Sequence, residues 1–169
     1  MTFHMCGRND DDYHAADLLS DVLGRGKSSR LYKRLVDEDR VFSSISAYVT
    51  GSIDPGLLTI HGKVNSEFNL AQAEGAVWKV LDDFMDERIT AEELEKVKNK
   101  AESTQVFSEM ELLNRAMNLA YAEMLGDADL ANQEADKIRA VSVEDIRAVA
   151  KEVIRKTNAS VLRYHAKQK

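Results

Sequence analysis

At 169 residues the chain suits one domain with its own core, and 44% hydrophobic with 31% charged residues excludes a disordered polymer. A formal net charge of -6 argues against a nucleic-acid or anionic-membrane binder, both of which need a basic surface. The single cysteine, Cys6, rules out an internal disulfide framework and a thiolate zinc site, and no apolar run is long enough for a bilayer span.

The chain opens directly on a strand-like stretch, Thr2 to Cys6, as a piece cut from a longer protein would, so the missing leader assigns no compartment. The acidic run Asp10, Asp11, Asp12 precedes a helix over 13–23, where negative charge suits the free N–H groups. Leu18, Leu19, Val22 and Leu23 share one helical face, and Gly24 is expected to close that helix in a left-handed conformation. Ser28 or Ser29 is expected to cap a second helix over 29–38, in which Leu31 and Leu35 meet.

After Arg40 the period changes. Val41, Ser43, Ile45, Ala47 and Val49 alternate with Phe42, Ser44, Ser46 and Tyr48, which predicts a strand with two distinct faces. The turn Asp54-Pro55-Gly56, holding the only proline, returns the chain in a second strand over 57–64 as a hairpin. Ser66 is the expected cap of an amphipathic helix through Leu70, Ala73, Val77, Val80 or Leu81, and Phe84.

Thr90 and Glu93 form a capping box opening a helical pattern that runs to Leu125, where Gly126 stops it. Unbroken, it would be roughly 50 Å long at about 1.5 Å per residue, so a bend is expected near Ser103 to Ser108. A short helix over 131–139 follows, Ser142 with Asp145 begins another through Ile154, and Val161 to Tyr164 reads as a closing strand. The central hairpin and the late cluster of helices predict an α+β fold: a mainly antiparallel sheet with helices packed on one face. No linker or repeat divides residues 1–169, so a single domain is expected.

Chemistry-bearing motifs are scarce. The histidines His4, His14, His61 and His165 lack the spacing that puts two imidazoles on one helix face for a metal. His14 reads as a solvated or capping residue and His61 as a half-buried strand residue. Cys6 beside His4 reads as a small core residue rather than a nucleophile, and Gly24-Arg25-Gly26 is too short and wrongly placed for a phosphate cradle.

One stretch carries a resemblance. Gly24-Arg25-Gly26-Lys27-Ser28-Ser29-Arg30-Leu31-Tyr32 with Leu35, followed by a strand, the Asp54-Pro55-Gly56 turn and a second strand, resembles the C-terminal half-domain of the pitrilysin, insulinase and mitochondrial processing peptidase family. Those enzymes carry zinc on an H-x-x-E-H helix in their other half. The resemblance implies that this chain holds no cofactor, and that zinc belongs to an N-terminal half-domain outside the sequence. The implied partners are that half, a second peptidase subunit and a peptide substrate. Many family members follow the S-S-R-L segment with an Arg and a Tyr that reach the substrate. The matching positions here are Val36 and Ser43, which lack the guanidinium and the phenol. The implied role is a zinc-free wall of a metalloendopeptidase chamber; the alternative is an inactive homologue serving as scaffold in an assembly.

Overall fold

The computed structural model describes residues 1–87 and 89–165, and helix α1 (Tyr13–Gly24) lies at its centre. Every residue of α1 except Asp17 is buried. A helix covered on all sides needs neighbours on all sides. One side meets strand β2 (Phe42–Val49), and the others meet α4 (Ala91–Ser108), α6 (Leu130–Ala140) and α7 (Val143–Val153).

The sheet adds β1 (Thr2–His4), β3 (Leu57–Val64) and β4 (Ala159–Ser160) in the order β2-β3-β1-β4, with every pairing antiparallel. Phe3, Ile45, Ala47, Leu58 and Ile60 are buried under the helices, whereas His4, Tyr48, His61 and Lys63 on the other face are exposed. The one-sided antiparallel sheet expected from the sequence is therefore present. His61 is not half-buried, because it belongs to the uncovered face.

The expected alternation in β2 fails at its start. Phe42 and Ile45 are both buried while Ser43 and Ser44 are both exposed, because a bulge between Phe42 and Ser44 adds a residue to one side of the ladder. The shift brings the Phe42 ring over Gly62, where a Cβ would stand 2.6 Å from it.

The corner after α1 differs from expectation in two ways. Gly24 is not the left-handed residue; Gly26 is, at φ 89°. Gly24 is the last residue of α1 and is needed for proximity, since a Cβ there would lie 2.1 Å from the Ala47 backbone nitrogen. The Ser29 side chain does not cap the next helix but donates to the Gly26 carbonyl at 2.7 Å, tightening the corner itself. Helix α2 (Arg30–Tyr32) then widens into a π turn over Lys33–Glu38, closed by Asp39 N–H to Arg34 C=O at 2.9 Å.

Helix α3 (Leu70–Asp86) is capped by Asn69 with Gln72, not by Ser66. The boxes Thr90–Glu93 on α4 and Ser142–Asp145 on α7 form as expected. The long helical pattern breaks fully at 109–111 into α4 and α5 (Leu112–Met124), where Glu111 is extended. The closing strand falls at Ala159–Ser160, because Asn158 Nδ2 donates to the carbonyls of His4 and Val153, both at 2.9 Å, and sets the chain beside β1. The pairing of β4 with β1 extends to Ser160, opposite Thr2.

Gly24→Ala is expected to force α1 off β2 and to cost about 3 kcal/mol or more. A Cβ at Gly75, on α3, would meet nothing within 4 Å, so Gly75→Ala is expected to stabilise by about 1 kcal/mol. Urea unfolding of both variants measures the opposite signs.

Candidate functional site

A cleft of about 750 Å³ opens between α1 and a wall made by α4, α5 and α6. His14, Asp17 and Arg25 line its floor, and Asp21 continues their polar stripe at helical spacing without lining the cleft. Arg8, in the loop before α1, places its guanidinium 4.4 Å over the Tyr13 ring and donates to Glu134 Oε2 on α6 at 2.8 Å. Arg25 pairs with buried Asp21 at 3.1 Å.

His14 is buried, not solvated. Its Nδ1 stands 3.8 Å from Glu134 Oε1, too far for a hydrogen bond, and has no partner among the described residues. Burial lowers its pKa; Glu134 opposes this, and Arg8 and Lys137 add to it. The Asp17 carboxyl is pushed up to about 6, first by burial and then by the Asp21 carboxylate one turn on, against the pull of Arg25 and Arg8.

The residues of the recognised stretch build the corner. Arg30 forms a fork on Glu93 at 3.1 and 2.9 Å and lies 5.0 Å from the Phe84 ring centroid, tying the corner to α3 and α4. The hydrogen bond from Arg30 accordingly holds the Glu93 carboxyl below its usual range. Val36 sits half-buried against the core in the π turn, and Ser43 is exposed at the bulge, its Oγ donating to Lys63 C=O at 3.2 Å. Arg34 is engaged with Glu38 and Asp39 at 3.1 and 2.9 Å.

Cys6 is half-buried, and burial with Asp10 and Asp12 nearby raises its pKa, so the thiol stays protonated. Among the described residues no group of three or more His, Cys, Asp or Glu is arranged to hold a metal, and no helix is long and apolar enough to cross a membrane. The cleft network was not singled out from the sequence, although the spacing of His14, Asp17, Asp21 and Arg25 carried a signal. Its partner Glu134 lies 126 residues after Arg8.

The fold, an antiparallel sheet with helices on one face, is the α+β arrangement the resemblance implies. Residues 1–101, more than half of the chain, match the family model for the peptidase M16 inactive domain, and the chain belongs to that family. It is 26% identical over 147 residues to the uncharacterised zinc protease YmxG of Bacillus subtilis (strain 168), a match covering 86% of this chain and 36% of the relative. The chain thus spans little more than a third of that relative's length. The inactive peptidase domain of a Bordetella parapertussis protein superposes with a TM-score of 0.88 at 21% identity, covering 97% of this chain and 89% of that one. A Helicobacter pylori protease does so with a TM-score of 0.86 at 22% identity, covering 93% and 38%.

The raised Asp17 pKa carries a stability cost that appears as pH rises from about 4 through about 6, since the unfolded carboxyl ionises first and the folded one resists. His14 acts in the other direction, with stability lost as pH falls below its ordinary value of 6.5. Asp17→Asn is therefore expected to unfold at higher urea than the parent near neutral pH, by up to about 3 kcal/mol. That difference should vanish near pH 4, as paired urea titrations at the two pH values will show.

Proposed function

We propose that this chain is the non-catalytic C-terminal domain of a zinc metalloendopeptidase, one domain of a longer protein whose zinc lies in an N-terminal half. It supplies chamber wall and interface rather than reacting groups. Membership of an inactive-domain family supports this reading, and so does the zinc protease more than twice its length that it resembles.

The observation that carries the interface is on α5. Of its residues only Ala122 is buried, while Leu112 is 84% exposed, and Leu113, Met117, Met124 and the nearby Phe107 and Met110 are also open to solvent. An apolar surface this continuous marks a contact face. The zinc-bearing half-domain is the occupant this reading assigns to it. Val36 and Ser43 would then stand on the substrate side, where the family has Arg and Tyr. Valine has no donor, and Ser43 already spends its hydroxyl on Lys63. Substrate stabilisation would come from another subunit, with a peptide as substrate.

The isolated chain is expected to bind no stoichiometric zinc and to cleave no peptide. Joint replacement of Leu113 and Met117 by Glu should leave its unfolding free energy within about 0.5 kcal/mol. The same variant should no longer co-purify with the zinc-bearing half-domain of its own peptidase. Metal analysis showing one zinc per chain, or undiminished co-purification, would overturn the reading.

A further inference from the structure

We propose that the uncovered face of β2 and β3 binds the acidic stretch of an extended peptide, its carboxylates received by Lys63 and His61. The proposal rests on the reading of the chain as a chamber wall and deepens it, naming the class of peptide that wall would favour.

Two strands supply the surface. Ser44, Ser46 and Tyr48 stand on the open side of β2, and Lys63, His61 and Thr59 stand opposite them, in that order, on β3. Directly opposed side chains on one face lie about 5 Å apart, so the six form one continuous patch. Ser44, His61 and Lys63 are exposed, and Tyr48 shows half of its surface to solvent. Among the described residues none of the six side chains has a hydrogen-bond or ion-pair partner.

The patch has charge of one sign. The chain carries 29 Asp and Glu against 23 Lys and Arg, yet no acid falls in any of the four described strands. Opposite charges commonly face each other across the rungs of an exposed sheet. Here the residue opposite Lys63 is Ser44, so the ammonium has no counter-charge across its rung. The Lys63 ammonium only donates, and the hydroxyls and imidazole around it can donate as well as accept. A carboxylate complements that set. At the β1 end of the same sheet, His4 shares a hollow with Asp12 and Glu152, which confines the acid-free surface to the β2–β3 half.

An extended peptide matches the spacing. Side chains on one face of a strand recur about every 6.6 Å, in a peptide as in β3, so carboxylates two residues apart can meet His61 and Lys63 together. Ser43, which the chamber reading sets on the substrate side, adjoins Ser44 and donates to Lys63 C=O at 3.2 Å. The patch therefore begins where that reading needs it.

Amide NMR titration of the full chain with a capped pentapeptide of alternating Ala and Glu is expected to move the amides of residues 44–48 and 59–63. At low salt it should bind about three- to fivefold more tightly than the same peptide with Gln for Glu. That advantage should shrink towards unity in 0.5 M NaCl. A peptide with Lys for Glu should bind more weakly than either. Lys63→Glu, whose own spectrum reports its folding, should reverse the order of the Glu and Lys peptides, whereas Lys151→Glu, on exposed α7 surface, should leave it unchanged. Equal binding of the Glu and Gln peptides, shifts confined to other residues, or an unaltered order in Lys63→Glu overturns the proposal. So does tighter binding of a single-stranded oligonucleotide at the same amides, which assigns the face to nucleic acid. Co-purification with the zinc-bearing half-domain separates the two failures. A chain that co-purifies without the Glu preference loses only this proposal, and one with the preference that does not co-purify loses only the chamber reading.

Discussion

The approach of Gly24 to the Ala47 backbone decides how this chain folds. A Cβ at residue 24 would stand 2.1 Å from the Ala47 nitrogen, so only glycine lets the last turn of α1 rest directly on β2. With that contact made, α1 can be buried all round, and the other helices pack over it. The chain must then turn away at once. Arg25 N–H returns to Asp21 C=O at 3.2 Å, Gly26 takes φ 89°, and Ser29 fastens the corner from inside. Packing and the turn account for Gly24, Gly26 and Ser29 of the G-x-G-x-S-S-R run.

Features set by neighbouring residues were legible. The pairs Thr90–Glu93 and Ser142–Asp145 are reciprocal caps that need nothing from the rest of the fold. Ser66 misled because a box needs Glu or Gln three residues on, and that position holds Asn69, which makes its own box with Gln72. The hairpin was legible from its turn. The bulge in β2 was not, because it depends on room that Gly62 leaves for Phe42 from the adjacent strand.

The cleft was harder to read for the same reason. His14, Asp17, Asp21 and Arg25 look like the wet side of an amphipathic helix until α4 and α6 pack against α1 and leave only Arg25 exposed. Those covering helices come from more than 65 residues further along the chain, held by contacts such as Arg8–Glu134, and nothing local announces them. Helix α5 shows the converse. Its Leu112, Leu113 and Met117 are apolar, yet they are open to solvent, and no described element covers them.

Charge is used mainly to join elements. Arg8–Glu134 ties the first loop to α6, Arg30–Glu93 ties the corner to α4, and Arg139–Glu102 ties α6 to α4. Pairs of this kind fix register more than they add stability. His14 and Gln105, each with one buried side-chain atom that makes no hydrogen bond among the described residues, line the cleft, one of whose walls is α5. That wall is lightly held: Tyr121 donates to Gly51 C=O at 2.6 Å, and Asn9 donates to Leu125 C=O at 3.4 Å at its end. Tyr121 and Ala122 line the cleft, while Leu112, Leu113 and Met117 are open to solvent. One helix thus serves two surfaces, so a partner seated on its apolar side would also fix the wall of the cleft behind it.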